Sequence, residues 1–259
     1  MFKYPLVAFS FLWRLPVKSS PTSEEDFKRA LPFFPLVGAM EGFFLSLPAS
    51  LLNKVLLPEF LALLLIVFII YIRGIFHLDG LSDTFDALAY KGTGDKEKDR
   101  EKRLQIMKDS TVGVAGVVTI TLSLFAKFFF IKELLIFNPH LLFLPFLFSR
   151  GFLLWIIFFS KSAKNEGLGY LMKKHLTLSG LLGGTVITFI LILIFERITG
   201  AGNILKFIFL VLFNFIFLFF FKNKLERFFG GMTGDNYGAV VEISEIVTLF
   251  YLAVLWPKL

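Results

Sequence analysis

Of the 259 residues, 56% are hydrophobic and 18% charged, with 36 phenylalanines and a mean hydropathy of +0.75. A soluble domain is usually about 45–50% apolar, and so few charges cannot cover this much apolar surface in water; lipid can solvate it directly. The absence of cysteine excludes disulfides, thiolate metal sites and cysteine nucleophiles, and the net charge of +7 is assigned to topology and anionic headgroups rather than to nucleic acid.

The chain opens with Lys3 and an apolar run from Tyr4 to Trp13, interrupted by Pro5 and ended by Arg14. No small-residue cleavage site follows, so a short interfacial or re-entrant segment is expected rather than a signal peptide. Seven apolar stretches of spanning length come next, near 31–53, 59–76, 112–131, 139–160, 178–195, 202–221 and 238–256. Pro32, Pro35 and Pro48 predict a kink or break in the first. Between the second and third spans, Lys91 to Asp95 reads as a turn and 96–108 as a surface helix of mixed charge. The expected fold is therefore all-α: one transmembrane domain over 1–259, of about seven helices plus short interfacial ones. With the N-terminus inside, the segments 1–30, 77–111, 161–177 and 222–237 carry 19 Lys and Arg, against 4 on the opposite side. That asymmetry orients a multi-pass protein of the cell (inner, cytoplasmic) membrane.

Three polar patches fall on the inward face. In the first, Asp79, Asp83 and Asp86 stand at i, i+4 and i+7, which puts three carboxylates on one face of a helix beside a span. Mutual repulsion among them is relieved by a hard cation, Mg²⁺ or Mn²⁺; the alternative is a solvated acidic helix end. The second patch, Ile106 to Gly113, contains Lys108, Asp109 and Ser110. It reads either as an anion site at a helix N-terminus or as a simple N-cap. The third, Gly230 to Gly238, holds Gly230, Gly231 and Gly234 with Asp235, a backbone that can approach phosphate or merely turn. His77 can be a phosphate contact or a helix-end residue. Arg150, inside the fourth span, can meet a substrate phosphate or form an ion pair. Glu41, Glu242 and Glu245 are rare intramembrane acids.

At these residues the chain resembles the cobalamin synthase family, the adenosylcobinamide-GDP ribazoletransferases. The match rests on Phe11 to Val17, Phe34 to Gly38, His77 to Asp83 with Asp86, Ile106 to Gly113, and Gly230 to Ala239. It runs nearly the full chain. The sequence departs at Arg73-Gly74-Ile75, where the family usually has Thr-Gly-Gly, at Trp13, Ser82 and Ala87, where Thr, Ala and Gly are expected, and at Thr111, where Arg is common. The resemblance implies a Mg²⁺-dependent transfer joining adenosylcobinamide-GDP to α-ribazole or its 5′-phosphate, with release of GMP. In the expected step a ribazole 5′-oxygen attacks the cobinamide-side phosphorus. Asp79, Asp83 and Asp86 hold the metal. Asp83, Asp109 and Asp235 are the candidate catalytic carboxylates, and His77, Lys108, Ser110, Arg150, Gly230, Gly231 and Gly234 the candidate substrate contacts. Rival readings are another membrane phosphotransferase or prenyltransferase acting on a diphosphate, and a cation-coupled transporter using the intramembrane acids. The sequence leaves a homo-oligomer open.

Overall fold

Proline, glycine and side-chain caps set the helix boundaries. The computed structural model describes residues 3–14, 23–201 and 204–258, which are helical and without a strand; one isolated bridge joins Ser162 to Met232. The N-terminal segment forms α1 (Lys3–Leu12) and packs on α2 (Glu24–Ala30) and α3 (Phe34–Leu52). Ser23 caps α2 by accepting the Asp26 N–H at 3.2 Å. The expected break at Pro32 is a single 3-10 turn, Leu31–Phe33; Pro35 lies in the first turn of α3, and Pro48 is carried inside it.

The helix α4 (Pro58–Arg73) stops at Gly74, whose φ of +77° suits glycine. The next helix, α5 (Phe76–Ala89), leaves at 94° to α4. Beyond it come α6 (Lys96–Ile106), α7 (Val114–Phe137), α8 (Leu144–Phe159), α9 (Gly167–His175), α10 (Leu178–Thr199), α11 (Ile204–Phe229) and α12 (Gly234–Phe250). Among the described residues, six helical stretches are long and apolar enough to cross a membrane, and seven when the bent pair α4–α5 is counted. The chain is thus a multi-spanning helical protein, as expected. Helices α2 and α9 were not foreseen.

Large apolar side chains on α10 and α11, such as Ile190, Leu193, Phe209 and Phe220, point outward, whereas α8 and α12 are largely enclosed. At the centre six charged side chains from five helices meet. Arg73 binds Glu41 (3.0 Å), Glu242 (3.0 Å) and Glu245 (2.6 Å). Lys127 binds Glu242 and Glu245, and Arg150 binds Glu41 and Glu245. Three acids meet three bases, so the cluster is formally neutral, which makes charge tolerable among apolar helices.

Candidate active site

The short helix α5 organises the site by lying across the first turns of α7 and α12. On the α12 side, Gly80 packs so closely on the Asp235 backbone that a Cβ there would stand 2.7 Å from its carbonyl oxygen. Thr84 Oγ1 accepts from Asn236 Nδ2 at 3.0 Å. The start of α12 is itself fixed by a capping box between Thr233 and Asn236. On the other side, the two carboxylate oxygens of Asp86 accept the N–H groups of Gly113 and Gly116, each at 2.8 Å. A Cβ at either glycine would collide with Asp86.

A cavity of about 1050 Å³ opens beside α5. Asp79 and His77 line it from α5, Gly234 and Asp235 from the start of α12, and Lys108 from the loop before α7. The end of α1, the Ser162–Lys164 segment and the first turns of α9 close the remaining sides. Asp83, one turn beyond Asp79, is half-buried; burial, then the charges of Asp79, Asp235 and Asp86, push its carboxyl up to about 6. His77 Nδ1 is buried and has no protein partner.

Several residues singled out in the sequence take other parts. Asp86 serves as the anion at the N-terminus of α7, so the amides read as a phosphate cradle are already engaged. Asp109 accepts from Thr111 N (3.0 Å) and Oγ1 (2.8 Å) in an exposed turn, and these bonds hold its carboxyl below the usual range, which ill suits a base. Ser110 is exposed in the same turn. Arg150 is fully buried in the ion cluster and does not line the cavity. Gly230 (φ +73°) gives room for the Arg100 guanidinium, and Gly231 for the backbone of Ser162 and Ala163. Both serve the join in which Met232 N donates to Lys161 O and Ala163 N to Met232 O.

Other cavity residues were not named as site candidates. Lys164, whose charge acts on Asp235, and Arg14 both line the space, as do Trp13 and Tyr170. Leu15 to Val17 of the N-terminal patch lie outside the described residues.

Among the described residues no three carboxylate or imidazole groups stand close enough to enclose a metal ion unaided. The donor set still suits Mg²⁺, which keeps several waters and commonly takes one or two carboxylates plus substrate phosphate. Burial and then the neighbouring carboxylates raise the Asp83 carboxyl, and a divalent cation would relieve the part due to those charges.

A family model described as cobalamin-5-phosphate synthase matches residues 5–253. The chain belongs to this family. Its relatives include the adenosylcobinamide-GDP ribazoletransferases of Thermodesulfovibrio yellowstonii, 42% identical over 94% of this chain and 93% of that protein, and of Pseudomonas paraeruginosa, 36% identical over 96% of both. The protein of the same name from Clostridioides difficile is 30% identical, again over 96% of both. No solved structure matches the chain.

Proposed function

We infer that the protein joins adenosylcobinamide-GDP to α-ribazole or its 5′-phosphate, releasing GMP, in a Mg²⁺-dependent reaction at the cytoplasmic face of the cell membrane. The observation that carries this reading is one cavity in which Asp79 and Asp235 face Lys108 and Lys164, in a chain of the cobalamin-5-phosphate synthase family. The intramembrane acids that a transporter would need are each paired with cations instead.

The family description favours a nucleophile other than the 5′-oxygen. A product that keeps a phosphate at its 5 position cannot have used that oxygen for the new linkage, so another ribose hydroxyl attacks. Its oxygen forms a bond to the cobinamide-side phosphorus, the bond from that phosphorus to the bridging oxygen breaks, and GMP departs. Asp79 and Asp83 would hold Mg²⁺, which would supply neutralisation of charge on the diphosphate. Asp235 accepts the hydroxyl proton from its place at the cavity wall, and Lys108 and Lys164 attract the phosphates. Asp86 positions α5 through the amides of α7.

The test is direct. Purified protein is incubated with adenosylcobinamide-GDP and α-ribazole, with Mg²⁺ or with a chelator. Corrinoid product and GMP in equal amounts, lost on chelation and restored by Mg²⁺, are expected. GMP release that ignores the acceptor would overturn the assignment.

A further inference from the structure

The cavity has a second wall that the phosphate chemistry does not use. Phe11 and Trp13 at the end of α1 line it with Phe34, Leu153, Met172 and Val241. Its rings are fixed: Phe11 stacks on Phe34 at 5.8 Å, and Trp13 meets Phe9 edge-on at 4.9 Å. Three of the polar groups here are already engaged, while Arg14, next to Trp13, also lines the cavity. Trp13 Nε1 donates to Glu41 at 3.2 Å, Ser10 Oγ to the Val7 carbonyl at 2.9 Å, and Tyr237 Oη pairs with Ser160 at 2.6 Å. Such a wall offers flat apolar contact and few free hydrogen-bonding groups.

The two substrates differ in what they need. Guanine presents amide and amine groups that lose affinity when buried without partners. The base of α-ribazole is a methylated benzimidazole, flat and largely apolar, attached to a ribose. We propose that the wall built on Phe11 and Trp13 is the acceptor-base subsite, with Trp13 a specificity-determining residue for the ribazole ring. This rests on the reaction assigned above and extends it. The base lies against Trp13 while its ribose reaches across the cavity toward Asp79 and Asp235. The Glu41 bond ties the ring to the buried ion cluster, so the subsite is formed before substrate arrives.

Steady-state kinetics of Trp13→Ala test this. The KM for α-ribazole rises about tenfold, the scale of a lost base–aromatic stack, and that for adenosylcobinamide-GDP stays within about twofold; Trp13→Phe recovers most of the ribazole KM. A rise confined to adenosylcobinamide-GDP, or no change in either, overturns the proposal. A second reading does not depend on Trp13→Ala folding or on turnover. α-Ribazole added to the metal-free wild-type protein quenches tryptophan fluorescence saturably, Trp13→Phe loses most of that quench, and GDP gives none. An equal quench in Trp13→Phe also overturns it. If wild-type protein shows the quench but makes no GMP, the reaction assignment fails and the base subsite stands.

Discussion

Burial and the charges of Asp79, Asp235 and Asp86 push the Asp83 carboxyl up to about 6, so a proton and a metal ion compete for it close to neutral pH. Only the ionised form binds Mg²⁺. Affinity is therefore full above about pH 6 and weakens as pH falls through that value, by about tenfold per unit for one proton. Calorimetric Mg²⁺ titrations from pH 5 to 8 read this slope, and Asp83→Asn both weakens binding and flattens it. The same substitution lowers GMP release about 10²-fold or more without lowering the melting temperature, because it removes a charge that burial and its neighbours disfavour. Arg150→Met gives the opposite pattern of cause. It removes a cation from Glu41 and Glu245, leaving buried acids under-compensated at a cost of about 3–5 kcal/mol. The detergent-solubilised protein should melt far earlier, and activity should fall only as folded protein is lost. An Arg150→Met protein that melts normally yet has a raised substrate KM would restore Arg150 to the site.

The sequence patterning marks helices better than it marks what their ends touch. Apolar length located the spans, and the i, i+4, i+7 spacing placed Asp79, Asp83 and Asp86 together on α5. It could not separate their roles, because the partners of Asp86 lie 27 and 30 residues away at Gly113 and Gly116. Likewise α9 escaped notice because Gly167 and Gly169 break its pattern; in the fold, Gly169 gives room for close approach to Gly234. If Asp86 is the cap of α7 rather than a metal ligand, Asp86→Asn retains one accepting oxygen and much of the Mg²⁺ affinity. Asp86→Ala leaves amides unpaired and costs about 1–2 kcal/mol. Gly116→Ala, which leaves every carboxylate in place, should reduce activity by pushing Asp86 and Ser82 away. Largely retained Mg²⁺ affinity in Asp86→Asn and a lower melting point for Asp86→Ala are the expected pair of results. Loss of metal binding in Asp86→Asn as complete as in Asp83→Asn would return Asp86 to the ligand set.

Across the whole molecule the loops fall into two groups that bind among themselves. Arg100 donates to the Ala163 carbonyl, and Arg103 to the Tyr90 carbonyl while lying over the Phe228 ring, which gathers α6, the Ser162 segment and the end of α11 beside the carboxylates. At the other end, Ser50 bonds His140, and Lys132 pairs with Glu59. The structure thus groups the loops just as the charge asymmetry does, although only the charges say which group faces the cytoplasm. The cysteine-free chain makes this measurable without background. Single cysteines at the exposed positions Asp95 and Lys224 should react with an impermeant maleimide only in inverted vesicles, and those at Lys54 and His140 only in intact cells. The outcome bears on chemistry as well as topology. A cavity flanked by α6 and the start of α12 must share the aqueous compartment of its nucleotide substrates. Labelling of position 95 from outside would therefore separate the carboxylates from any guanosine diphosphate made in the cytosol, and the transfer reaction could not run as drawn.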